Sequence, residues 1–193
     1  MRLFIAIEIP DDLKKMIGRL RVEIPGTRWV QAEQIHLTLA FLGEVDEPTF
    51  ELLNEELGRV KVPEFRLCFS GVGGFPDRHR PRVLWVGLEP QPRLQALAAM
   101  VRETVRACGI QQEERPFSPH VTLARLKLPH SRQADAFLDQ PHKQKLPPFL
   151  VQEFTLFQSR LTAQGAVHVQ IKNYRLAATA DCTQRRKSGK VGT

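Results

Sequence analysis

Ile35-His36-Leu37-Thr38-Leu39-Ala40 and Pro119-His120-Val121-Thr122-Leu123-Ala124 share the pattern His-apolar-Thr-Leu-Ala. In an extended strand successive side chains alternate faces, so His36 and Thr38 project together while Leu37, Leu39 and Phe41 take the opposite, core side. The second copy reads the same way, with Val121 and Leu123 inward. Each strand then sets an imidazole and a hydroxyl on one face, about 6.5–7 Å apart along the chain, which is the span of one phosphate group with its bridging oxygens. One His-x-Thr strand taken alone is an ordinary half-exposed strand. Two matched copies in a chain with only 6 histidines point to a shared site. Metal binding fits poorly, because threonine is a weak ligand, no Asp, Glu or Cys recurs at the motif spacing, and HExxH is absent. No metal and no cofactor is expected.

Outward from these strands, segments of strand and helix character alternate without a low-complexity linker, the pattern of an α/β or α+β body. Leu3 to Ile7 is a continuous apolar strand. Asp11 or Asp12 is positioned to cap a helix through about Val22, with Leu13, Met16, Ile17 and Leu20 on its buried face, and Gly26 ends that stretch. Ile35 to Leu42 is a strand closed by Gly43, followed by an acidic helix from about Pro48 to Val60. Strands near Phe65–Val72 and Val83–Leu88 flank a loop from Gly73 to Pro81. Leu94, Leu97, Ala98, Val101 and Val105 have the spacing of an amphipathic helix over Pro92 to Cys108, with Gly109 as its stop. Phe117 to Leu126 reads as a strand, Ser131 to Leu138 as a short helix, and Phe149–Gln158 and Val167–Leu176 as two late strands.

Composition bounds the class. The 193 residues are 42% hydrophobic and 25% charged, with no run of eighteen apolar residues, so a soluble globular chain with no membrane association is expected. The opening MRLFIAIEIPDD passes directly from apolar to acidic, unlike a secretory signal or an anchor. Three scattered cysteines without a CxxC argue against a disulfide framework or a zinc site and fit a reducing cytoplasm. The net charge of +7 is unevenly spread, since acids outnumber bases over the first sixty residues and the excess of bases lies beyond them. Part of it sits in a tail, Asp181 to Thr193, whose low apolar content predicts disorder. The expected layout is one domain over residues 1–180 with a basic tail over 181–193. Such a basic body suits an anionic partner, although a solvated basic surface is the commoner explanation.

The paired motifs and their surroundings resemble the two-histidine (2H) phosphoesterases, and within them the RNA 2',3'-cyclic phosphodiesterases, also called 2'-5' RNA ligases. The resemblance extends over Arg2 to Ile7, Arg28-Trp29-Val30, Phe41-Leu42-Gly43, Pro81 to Trp85, Phe117 to His120 running to Arg125, and Leu156 to Leu161 followed by Gly165. One departure is visible. The resemblance leads one to expect a Tyr two or three residues after the glycine, where this chain has Val167-His168.

The resemblance implies an α+β fold of two pseudo-symmetric lobes, each an antiparallel sheet backed by helices, with the two His-x-Thr strands facing each other across a central groove. It implies hydrolysis of a terminal 2',3'-cyclic phosphate to a 2'-phosphate, on RNA ends or nucleotides, by a monomer. In-line attack by water needs a base on one side of phosphorus and an acid on the other, and two histidines supply both near neutrality. His36 is assigned as the proton donor and His120 as the acceptor, with Thr38 and Thr122 donating to the non-bridging oxygens. Arg125 is a phosphate-binding candidate, but alternation from His120 puts it on the opposite face unless the strand bulges. Phe41 is a base-stacking candidate as family members suggest, yet it shares the parity of Leu37 and Leu39 and is expected in the core. Arg28, Arg80, Arg82 and Arg160 are candidates to line the groove. His79, His130, His142 and His168 lack a matching Thr and are left out, and Trp29 and Trp85 are assigned to packing. Two alternatives stand: a 2'-5' RNA ligase using the same residues in reverse, and a non-catalytic RNA-binding module using the basic part and tail.

Overall fold

Why the apolar positions segregate as they do is visible in the computed structural model, which describes residues 1–127, 132–139, 145–162 and 165–178. The tail, His130, His142 and Ser131 lie outside the described residues. In chain order the elements are β1 (Arg2–Glu8), α1 (Asp11–Gly18), β2 (Thr27–Trp29), a 3-10 turn (Ala32–Gln34), β3 (His36–Glu44), α2 (Glu47–Leu57), β4 (Phe65–Leu67), β5 (Phe69–Phe75), β6 (Val83–Leu88), α3 (Pro92–Ala107), β7 (His120–Leu126), α4 (Arg132–Asp139), β8 (Phe149–Val151), β9 (Glu153–Thr162) and β10 (Gly165–Arg175).

The strands form an 8-stranded antiparallel sheet in the order β10-β9-β1-β3-β7-β6-β5, with β2 paired to β7, and a small 2-stranded sheet of β4 and β8. The fold is α+β, with helices on one side of the large sheet. Leu13 and Ile17 of α1, Leu53 and Leu57 of α2, and the whole apolar stripe of α3 join Leu3, Ile5, Ile7, Leu37, Leu39, Val121 and Leu123 of the sheet in one core.

The sheet has a seam. Most neighbouring strands share several register pairs, but β3 and β7 share one, Leu37 opposite Val121. β10-β9-β1-β3 and β7-β6-β5 are therefore two half-sheets that meet at a point, and each contributes one His-x-Thr strand to the meeting place. This is the arrangement of two lobes that the resemblance implied.

Several local expectations change. No side chain caps α1, whose N-cap is Pro10; Asp11 and Asp12 instead lie in the first turn, where their charge complements the helix dipole, and the helix ends at Gly18. Phe65–Val72 is not one strand: it breaks at Cys68 into β4 and β5, which belong to different sheets, and β5 runs on through Gly73 and Gly74. Gly73 is a glycine within a strand because a Cβ there would run into the Trp85 ring. Phe149–Gln158 divides in the same way into β8 and β9. The short β2 had no signal in its three residues.

Candidate active site

The two motif strands match beyond the five residues that define the repeat. From His36 to Leu42 and from His120 to Leu126 the side chains run half-buried, buried, half-buried, buried, buried, exposed, buried. Strict alternation would have put the fifth residue out and the sixth in. What breaks it is a bulge at the same place in both strands. Opposite β1, Thr38 pairs with Ala6 and Ala40 with Ile5, so Leu39 is extra; opposite β6, Thr122 pairs with Trp85 and Ala124 with Leu84, so Leu123 is extra.

The bulges re-aim two side chains. Phe41, expected in the core from its parity with Leu37 and Leu39, is 68% exposed and lies on the face of His36 and Thr38. Arg125 is exposed on the face of His120 and Thr122, the outcome that alternation allowed only with a bulge. From Leu37 opposite Val121, the antiparallel register sets His36 across from Thr122 and Thr38 across from His120. Two imidazoles and two hydroxyls thus alternate around the seam. Among the described residues neither hydroxyl makes a hydrogen bond to the protein.

His120 is anchored by its own strand's approach. His120 Nδ1 lies 2.8 Å from the carbonyl oxygen of Ser118, two residues upstream. Because a carbonyl only accepts, that nitrogen carries the proton and Nε2 of the neutral ring keeps its lone pair. For His36 the backbone of Gln34, two residues upstream, is the group that favours the charged ring. Burial, then the His168 charge, pushes His36 down to about 4 against the opposing pull of the Gln34 bond. Burial lowers His120 too, with Arg125 adding to the effect. Both shifts favour the neutral form of the rings.

The floor around them is aromatic. Phe4 of β1 lies 4.9 Å from His36, stacks on Phe157 of β9 at 5.0 Å, and is 6.2 Å from Phe41, between ring centroids. Phe4, Ala6 and Phe157 form a small buried cluster separate from the main core, on the sheet face away from the helices. On the other half-sheet Phe75 meets His120 edge-on at 4.9 Å and Trp85 at 5.3 Å. Trp85 packs here, over Gly73 and Gly87, whereas Trp29 packs in the main core against Phe137.

Of the arginines, Arg28 is paired in register with Arg125 and reaches Gly165: a Cβ there would lie 2.5 Å from its guanidinium, and the positive φ of 130° favours glycine as well. Gln34 donates to the Ala166 carbonyl, so β2 and the 3-10 turn both hold the β9–β10 hairpin against the seam. Arg80 and Arg82 are exposed, and Arg160 shares a face with Gln158 and Val167, away from Phe157. It does not join the site. His79 stays in its exposed loop. His168, to which the sequence reading gave no role, stands 5.4 Å from His36 between ring centroids. The departure at Val167-His168 marked the position, but which face of β10 looks toward His36 is set by pairing with β9.

Comparison with known proteins agrees with this geometry. A model of the 2'-5' RNA ligase superfamily matches residues 9–162. The chain is 32% identical over 175 residues to the RNA 2',3'-cyclic phosphodiesterase of Archaeoglobus fulgidus, spanning 89% of this chain and 98% of that protein. It is 34% identical over 185 residues to the Escherichia coli protein of the same name, spanning 91% and 96%. The crystal structure of E. coli LigT complexed with 3'-AMP superposes with a TM-score of 0.74 at 32% identity, over 91% of this chain and 97% of that one. With matched strands, matched bulges and relatives aligned over nearly their whole length, this chain belongs to the 2'-5' RNA ligase superfamily.

Proposed function

We propose that the protein hydrolyses 2',3'-cyclic phosphates at the ends of RNA or on nucleotides, leaving a 2'-phosphomonoester and a free 3'-hydroxyl. The observation that carries this reading is the alternation of two imidazoles and two unengaged hydroxyls around the seam; the relatives named RNA 2',3'-cyclic phosphodiesterase support it. A water attacks phosphorus in line with the 3'-oxygen and gives its proton to Nε2 of His120. The bond from phosphorus to the 3'-oxygen breaks, and His36 supplies the proton that the leaving oxygen needs. Thr38 and Thr122 donate to the non-bridging oxygens, where charge is held in the transition state. The lone pair on His120 is available because Nδ1 is committed to Ser118. Burial holds His36 low, and the charge of a bound phosphodiester anion raises it, so that the ring takes up a proton from solvent as the substrate binds. The chemistry calls for no metal ion. Arg125 and Phe41 are assigned to the rest of the substrate, a phosphate and a base respectively, from their exposed places beside the two motifs. Residues 1–180 are the working unit, acting as a monomer in the cytoplasm.

The test is a defined RNA ending in 2',3'-cyclic phosphate, with the product isomer identified. A 2'-phosphate end is expected. Binding without turnover would support an RNA-binding module instead, and joining to an added 5'-hydroxyl RNA in preference to hydrolysis would support a ligase.

A further inference from the structure

Among the described residues His168 has no counterpart in the other half of the site. His120 holds a backbone carbonyl two residues upstream, but Nδ1 of His168 is buried with no hydrogen-bond partner among the described residues. Its ring stands edge-to-face to His36, 5.4 Å between centroids at 87°, and both rings rest on Phe4, at 4.8 Å and 4.9 Å. A protonated His168 would place a cationic N–H at that unpartnered buried nitrogen. With both rings protonated, like charges would face each other over an apolar floor. Protonation of either ring therefore disfavours protonation of the other, and the two rings titrate together.

The charges that surround the pair are few. Lys14 of α1 is buried and held by Glu8 of β1, the cross-strand neighbour of His36, and by Asp11. His120 approaches from β7, and Arg28 of β2 reaches the turn at Gly165 that starts β10. Lys14 and His120 both oppose a charge on His36, and Glu8 is already engaged.

We propose that His168 is a positioning residue for His36: a second imidazole that holds the His36 ring by edge-to-face contact and, by competing for the same proton, keeps it unprotonated until an anion occupies the site. This rests on the reading of His36 as proton donor, and its consequence is that the acid takes its proton from solvent only when the substrate's charge is beside it. Burial, which depresses both rings, and the His168 charge, which depresses His36 further, agree with that coupling.

The experiment is an NMR titration of the His36 ring in the full chain, in buffer free of phosphate, for wild type, His168→Phe and His168→Gln. Phenylalanine keeps a flat ring and removes the competing nitrogen; glutamine keeps polarity without a titrating group. In both, the His36 midpoint is expected to rise by about half a pH unit or more. The acid limb of kcat/KM, set by the ring that titrates lower, should move the same way, and adding inorganic phosphate should raise the wild-type midpoint. A midpoint unmoved within about 0.2 unit in either folded variant would make His168 a packing residue only and overturn the proposal. Absence of turnover in the wild type would sink the functional reading instead, and the midpoints would still decide the coupling.

Discussion

His120 has one nitrogen committed to its own strand's approach, which leaves the other for chemistry. His36→Ala and His120→Ala should each lower turnover by about 10²–10⁴-fold with the fold retained, and the double variant should lose much less than the product of the two. Steady-state rates on a cyclic nucleotide, beside circular dichroism, check this. Thr38→Val and Thr122→Val should cost about 10–10³-fold with little change in melting temperature, since neither hydroxyl bonds to the described residues. The lowered His36 also bears on stability. Its folded value of about 4 lies below the unfolded value near 6.5, so the unfolded chain binds more protons between them. Stability contributed by a neutral His36 is complete above about pH 6.5 and is lost as pH falls toward 4. Melting curves across that window should show the loss, with a shallower slope in His36→Gln. The His-x-Thr residues themselves were legible because period-two alternation holds from His36 to Leu39. His168 was not, since a lone histidine on a late strand gains meaning only from the strand it pairs with.

At the scale of the strand, the paired bulges decide two substitutions that alternation alone would get wrong. A phenylalanine in the core costs about 3–5 kcal/mol on truncation to alanine, whereas an exposed one stays within about 0.5 kcal/mol. Phe41→Ala should therefore leave the melting temperature close to wild type and raise KM for a nucleotide substrate. Arg125→Gln should weaken binding of RNA, with a smaller dependence on salt than the wild type shows. A fall in stability of several kcal/mol for Phe41→Ala would mean that the ring is buried. The bulge was hidden because Leu39-Ala40 and Leu123-Ala124 are apolar either way, so the extra residue leaves no break in hydropathy. The longer repeat did hold a clue: Phe41 and Arg125 occupy equivalent places, and a guanidinium does not belong in a core.

Across the whole molecule, the element order was readable from hydrophobic spacing, but the sheet order was not. Nothing local tells β1 to lie between β9 and β3, or that β3 meets β7 at one pair. A ligand held by groups from both half-sheets should fasten that seam. Inorganic phosphate or a 2'-nucleotide at about 100 times its Kd should add about 2.7 kcal/mol of stability and raise the melting temperature by several degrees, an increase lost in His36→Ala. Removal of residues 181–193, which hold few apolar side chains, should leave hydrolysis of a cyclic nucleotide unchanged, as should exhaustive chelation by EDTA; restoration by added Mn²⁺ or Zn²⁺ after chelation would instead indicate a metal-bound hydroxide. Rotating one half of the site onto the other about Leu37 and Val121 lays imidazole on imidazole and hydroxyl on hydroxyl, yet it lays the Phe41 ring on the Arg125 guanidinium. An undirected cradle for a phosphate thereby acquires an arrow: a nucleotide end with a flat base on one side and a further anion on the other fits head-first in a single sense, and exchanging Phe41 and Arg125 would turn the arrow round.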